Sequence, residues 1–219
     1  MRRIEFHFDF ISPFSYIAQQ RLGELPADVE IDYRPLLFAG LLDHWGGVGP
    51  AETPSQRQFT YRYCNWLARR LGIAYHSPPA HPFNPLPALR AALAMDAAPA
   101  AVAAIFEHIW ARGRLPEGGH WDALLAGLGI DASAVNRPAI KQALRANTTA
   151  AIDAGVFGVP TFVVDGELFF GQDALPMLLD YLREPAGVID DEYRRLGDLP
   201  SLASRRPQAT PGATPEAGG

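Results

Sequence analysis

Strand signals occur near the two ends of the chain and nowhere between them, which constrains the fold more than any other feature. Ile4, Phe6, Phe8 and Phe10 alternate with Glu5, His7 and Asp9, the period of a strand buried on one face. Ser12-Pro13 follows as a helix start, with Ser as N-cap and Pro at the first helical position, where its missing N–H is no loss. Phe14, Ile17, Ala18, Arg21 and Leu22 carry that helix to a stop between Gly23 and Pro26. Residues 29–34 alternate again, up to Pro35. Strand, helix, strand at this spacing predicts a parallel βαβ unit with a right-handed crossover. Towards the other end the pattern predicts a helix over 141–154, strands over 160–164 and 167–170, and a last helix over 173–183. Asp165-Gly166 between the two strands is a type I′ hairpin signal.

The stretch between is rich in Ala and Leu and reads as helices over 58–71, 87–95, 100–112 and 121–128, separated by Gly- and Pro-punctuated loops. This order of elements predicts an α/β protein: a thioredoxin-like domain made of residues 1–36 and 137–199, interrupted by an all-helical insertion over 37–136. Residues 200–219 are mostly Ser, Arg, Pro, Ala, Thr and Gly without aromatics and predict a disordered tail.

Charge and cysteine usage narrow the function. With 19 basic against 24 acidic residues the net charge is -5, so no electrostatic argument favours nucleic acid or an anionic membrane surface. No apolar run reaches the roughly 18 residues of a membrane span, and the charges after Met1-Arg2-Arg3 break up a signal-peptide core. The expectation is a cytoplasmic protein whose partners are small molecules or proteins. Cys64 is the only cysteine, which excludes an intrachain disulfide, a Cys-x-x-Cys pair and a cysteine-rich zinc site. It reads as a small buried helix residue rather than a nucleophile. The six histidines lack metal-binding helical spacing, and no metal is expected.

Four separated motifs carry a family resemblance: Phe8-Asp9-Phe10-Ile11-Ser12-Pro13-Phe14-Ser15-Tyr16, His81-Pro82-Phe83-Asn84-Pro85-Leu86, Gly155-Val156-Phe157-Gly158-Val159-Pro160-Thr161-Phe162, and Gly171-Gln172-Asp173. In this order they resemble the 2-hydroxychromene-2-carboxylate isomerases, a family allied to the kappa-class glutathione transferases and the periplasmic disulfide oxidoreductases. The resemblance spans residues 4–183. It implies glutathione as cofactor, a small aromatic substrate, a homodimer, and interconversion of 2-hydroxychromene-2-carboxylate and trans-o-hydroxybenzylidenepyruvate by reversible thiolate addition. Two alternatives stay open: a kappa-like glutathione transferase or peroxidase, and a non-catalytic member that binds an aromatic ligand.

The resemblance also assigns residues. Where redox relatives carry Cys-x-x-Cys, this chain has Ser12-Pro13-Phe14-Ser15. Ser12 is then the catalytic candidate, donating to a thiolate brought from outside, and its plain alternative is an N-cap. Pro160 resembles the cis-proline of the family, with the Val159 backbone free to pair with glutathione like an added strand. Gln172 and Asp173 resemble the residues that hold the γ-glutamyl end, although Asp173 also reads as a helix cap. Family members carry a lysine near 53–57. Here Gln56 stands in that place, the single lysine is Lys141, and Arg57 is the nearest cation, with a different geometry. Asn84 and Trp45 are substrate candidates, Asn84 with an Asx-turn as its alternative. His44, His81 and Arg90 are further pocket candidates with no assigned role.

Overall fold

The computed structural model describes residues 2–131, 133–197 and 199–200. The disordered tail expected over 200–219 lies, but for its first residue, outside them. Strand β1 (Arg2–Phe8), helix α1 (Pro13–Gln20) and strand β2 (Val29–Pro35) form the expected parallel unit, with Ile4 opposite Ile31 and Phe6 opposite Tyr33. Five helices follow: α2 (Phe38–Trp45), α3 (Pro54–Leu71), α4 (Leu86–Leu93), α5 (Pro99–Phe106) and α6 (Gly118–Gly127). The chain returns through α7 (Pro138–Asp153) to β3 (Thr161–Val164) and β4 (Glu167–Phe170). The sheet order is β2-β1-β3-β4, with β3 antiparallel to both β1 and β4. Asp165 and Gly166 both have positive φ, 53° and 86°, as a type I′ turn requires. This is a thioredoxin-type fold carrying a helical insertion.

The described residues divide into two compact units, with the boundary between Leu179 and Asp180. The first contains the whole sheet and helices α1 to α7. Helix α8 (Leu175–Arg183) leads into the second, which holds α9 (Asp191–Gly197). In the first unit, aromatic rings join the sheet to the helical stretch. Phe6 stacks on Phe8 and on Phe162, both at 5.1 Å between centroids, and Phe106 of α5 meets Phe8 at 5.4 Å and Phe10 at 4.5 Å. All five rings are fully buried, each worth about 1.5–3 kcal/mol relative to exposure.

Three local expectations need correction. The alternation of β1 predicted one buried face, but β1 is paired on both sides and His7 is buried as well as Phe6 and Phe8. Burial holds the His7 pKa below the ordinary histidine value, against the raising effect of Glu5, whose Oε2 is 3.0 Å from Nε2. The helix expected over 100–112 is α5 followed by a π-helical turn, Glu107–Ala111. The last helix starts later than expected: Gln172–Ala174 is a 3-10 turn, so Asp173 is not its cap.

Candidate active site

Helix α1 opens four residues after the end of β1, so its N-terminus sits at one end of the central strand. Ser12 has extended backbone angles, and its Oγ accepts from the Ser15 N–H at 3.2 Å, while its carbonyl accepts from the Tyr16 N–H. Pro13 has no N–H. The spare donors of this corner are therefore the Phe14 N–H and the Ser12 O–H, neither with a partner among the described residues. No acidic residue occupies the first turn, so the positive end of the helix dipole is not neutralised there. The Ser15 hydroxyl is buried and unpartnered among the described residues.

The loop after α7 brings Val159 and Pro160 to the same pocket, and the Val159-Pro160 peptide is cis. Val159 lies just outside β3, and its backbone N–H and C=O are unpaired among the described residues. Phe14, Tyr63, Val159, Pro160, Phe170, Gly171, Gln172 and Asp173 line a cavity of about 190 Å³. Asp173 is exposed at this pocket and has no ion-pair partner among the described residues. Gln172 is buried and held by Arg21, whose Nη1 donates to the Gln172 carbonyl at 2.9 Å and to Oε1 at 3.1 Å. With Oε1 engaged, Gln172 has its amide donors left to offer.

The cavity thus gathers Val159, Pro160, Gln172 and Asp173, while Ser12 caps the helix that supplies Phe14. Arg57, Asn84 and Trp45 are not part of its lining. Asn84 Oδ1 accepts from Leu86 N–H at 3.1 Å, an Asx-turn that starts α4. Trp45 is half exposed and its Nε1 donates to the Val156 carbonyl at 3.0 Å, tying α2 to the loop that leads to Pro160. His44 lies edge-on to Trp45, and Arg90 reaches Asn136 Oδ1 at 3.5 Å. Arg57 stands one turn before Tyr61 on α3, near enough for its charge to act on Tyr61 and His81. Cys64 is buried, and desolvation pushes its thiol up to about 12, so it supplies no thiolate at neutral pH.

Sequence reasoning missed Tyr63, Phe170, Arg21 and Asp9. Phe170 carried a usable signal: in β4 it alternates with the buried Phe169 and so faces the other way. Tyr63 lies inside an amphipathic helix and has none. Asp9 is fully buried, its Oδ1 accepting from Ile11 N–H at 3.1 Å and Oδ2 from Phe38 N–H at 2.9 Å. Desolvation raises its pKa to about 7, opposed by hydrogen bonds from the Phe38, Ile11 and Phe10 N–H groups.

A β2-β1-β3-β4 sheet, a capped helix directly after β1 and a cis proline directly before β3 define a thioredoxin-fold protein whose reactive corner lacks cysteine. The sequence matches the model of the DSBA-like thioredoxin domain over residues 3–183. A 2-hydroxychromene-2-carboxylate isomerase of Sphingobium xenophagum is 32% identical over 196 residues, covering 83% of this chain and 98% of that protein. One from Pseudomonas putida is also 32% identical, covering 80% and 91% respectively. A solved 2-hydroxychromene-2-carboxylate isomerase superposes with a TM-score of 0.74 at 28% identity, over 91% of this chain and all of that one. The chain belongs to the DsbA-like thioredoxin family and, within it, to the 2-hydroxychromene-2-carboxylate isomerases.

Proposed function

We propose that this protein is a glutathione-dependent isomerase of a small aromatic substrate, interconverting 2-hydroxychromene-2-carboxylate and trans-o-hydroxybenzylidenepyruvate. The observation that carries the reading is the cavity beside the N-terminus of α1, with unpaired donors at Ser12 and Phe14 and the only cysteine of the chain buried elsewhere. A nucleophilic sulfur for such a corner comes from outside the chain. The residues fit glutathione: unpaired Val159 backbone groups suit its peptide, and the unpartnered Asp173 carboxylate suits its ammonium. Glutathione, when bound, supplies the thiolate whose reversible addition at the benzylic carbon makes the substrate double bond a rotatable single bond.

The protein's own part is electrostatic. The Ser12 hydroxyl and the Phe14 N–H donate to the sulfur, and the uncompensated helix terminus favours its anionic form. Gln172, fixed by Arg21, presents amide donors, and Phe14, Tyr63 and Phe170 give the pocket an aromatic lining suited to a planar substrate. Arg57 is the cation nearest the place of the family lysine.

The test is an absorbance time course of 2-hydroxychromene-2-carboxylate with purified protein, with and without sub-stoichiometric glutathione. Acceleration only with glutathione, and with none consumed, is the expected result. Consumption of glutathione would replace the isomerase by a transferase, and an unaccelerated course with glutathione still bound would overturn the isomerase in favour of a transferase of another electrophile or a ligand-binding protein. A Cβ on Gly158 would lie 2.5 Å from Phe170 Cε2, so Gly158→Ala forces the ring that lines the cavity to move. The expected result is a glutathione dissociation constant raised roughly 3- to 10-fold, with a stability loss of about 1 kcal/mol, because the exposed ring has room to yield. Calorimetric titration and urea unfolding check the two parts.

A further inference from the structure

The two peptide groups that lead into Ser12 are each held at both ends. In the Phe10–Ile11 peptide, the carbonyl accepts from Trp110 Nε1 at 2.8 Å and the N–H donates to Asp9 Oδ1 at 3.1 Å. In the Ile11–Ser12 peptide, the carbonyl accepts from His81 Nε2 at 2.8 Å and the N–H donates to the Asp9 carbonyl at 3.1 Å. A peptide group is planar and rigid, so fixing both its ends fixes its tilt. Two consecutive fixed planes leave the chain little freedom before Ser12.

His81 and Trp110 do not belong to the sheet. His81 comes from the loop between α3 and α4, and Trp110 from the π-helical turn after α5. His81 is itself held. Its ring meets Tyr61 edge-on at 5.4 Å and Trp110 at 5.5 Å, and Tyr61 Oη lies 2.9 Å from both the His81 Nδ1 and the His81 carbonyl oxygen. A carbonyl only accepts, so the contact with Ile11 puts a hydrogen on Nε2 and leaves Nδ1 of the neutral ring without one, and the single Tyr61 hydroxyl hydrogen faces both Nδ1 and the His81 carbonyl. Burial keeps the ring neutral. The hydrogen bond to Ile11 opposes that effect, and the Arg57 charge adds to it. The Ile11 carbonyl thus fixes the tautomer in which His81 donates to it, and Tyr61 anchors His81 at its ring and at its main chain.

We infer that His81, anchored by Tyr61, is a positioning residue: it fixes the Ile11–Ser12 peptide and with it the direction of the Ser12 hydroxyl and the Phe14 N–H. The helical stretch thereby sets the geometry of the thiol-binding corner as well as walling the pocket. This role rests on the glutathione reading proposed above. A donor pair held without freedom to reorganise stabilises developing charge better than a mobile one, and a misplacement of about 1 Å can cost roughly 100-fold in rate.

His81→Phe keeps the ring and removes the donor, His81→Gln restores an N–H donor, and Tyr61→Phe removes the hydroxyl that anchors the His81 ring and carbonyl. The readouts are the pH titration of thiolate absorbance near 240 nm with protein-bound glutathione, kcat and KM separately, and thermal unfolding. In His81→Phe the apparent pKa of the bound thiol is expected to rise by about one and kcat to fall roughly 10- to 100-fold, with KM changed less than about 3-fold. His81→Gln recovers most of both, and Tyr61→Phe shows a smaller loss in the same direction. A folded His81→Phe with wild-type thiol pKa and kcat overturns the role. If His81→Phe does not fold, Tyr61→Phe decides: unchanged thiol pKa and kcat overturn it equally. A wild-type protein without a thiolate band brings down the glutathione reading and this role together, whereas a wild-type band indifferent to both substitutions brings down this role alone.

Discussion

Ser12→Ala is expected to lower kcat of the proposed glutathione-dependent isomerisation roughly 100- to 1,000-fold, the range for removing one preorganised donor from a developing anion. The same substitution removes the cap on Ser15 N–H, which costs about 1 kcal/mol and about 2–4 °C in Tm for a chain of this size. The two effects are separable because they use different parts of one hydroxyl: its oxygen accepts from the helix, and its hydrogen is free to donate outward. Ser12→Thr keeps both parts and should retain most of the stability and a larger share of the rate. Steady-state kinetics beside thermal unfolding reads both. Wild-type turnover in a Ser12→Ala protein that has lost only the few degrees of the cap would leave Ser12 as a cap and nothing more.

Asp9→Asn is expected to reverse part of the pH dependence of stability. The folded-state pKa of Asp9, about 7, lies above the ordinary carboxylate value, so between those limits the folded state holds a proton that the unfolded state has released. Stability from this group is fully present at low pH and is lost as pH rises towards and through 7, by about 3 kcal/mol between pH 5 and 8 at 1.36 kcal/mol per pKa unit. The buried histidines His7, His81 and His108 have lowered pKa values, principally through desolvation, and work in the opposite sense: their contribution is lost as pH falls below the unfolded value of 6.5. The wild-type curve is the difference of these slopes, and the comparison with Asp9→Asn isolates the carboxyl. The variant's stability, set against wild type, should improve by about 3 kcal/mol between pH 5 and 8. It should also lose about 1–3 kcal/mol at pH 5, because the amide turns an NH₂, which cannot accept, towards one of the two N–H groups, of Ile11 and Phe38, that face the oxygens of the protonated carboxyl. Urea unfolding at four pH values tests both. Parallel curves for the two proteins would show that Asp9 does not titrate in this window.

Much of the fold is local in origin and was legible. Alternation placed β1 and β2, the Asp165-Gly166 pair placed the hairpin, and Ser12-Pro13 marked the start of α1 to the residue. Each depends on neighbours a few positions away, through pleat, turn dihedrals or a first-turn N–H. The failures are those of locality. Burial of His7 needs elements covering the second face of a doubly paired strand, and the displaced start of α8 follows from a 3-10 turn that no periodicity announces.

For the candidate site the division is sharper. The sequence by itself determined that the chain has no redox pair, that a serine caps the helix where such a pair would stand, and that a Val-Pro step precedes the hairpin, since these are statements of residue type and order. Only the tertiary structure decided which of the proposed residues meet. Val159, Pro160, Gln172 and Asp173 share one cavity, whereas Asn84 starts its own helix and Trp45 ties down a loop. Tyr63, Arg21 and Asp9 became visible in the same way, and His81, a candidate without a role in the sequence, touches a carbonyl 70 residues before it in the chain. The physical reason is that residue type fixes what a group can donate or accept, while its partner is fixed by packing between elements far apart in sequence, which no local pattern encodes.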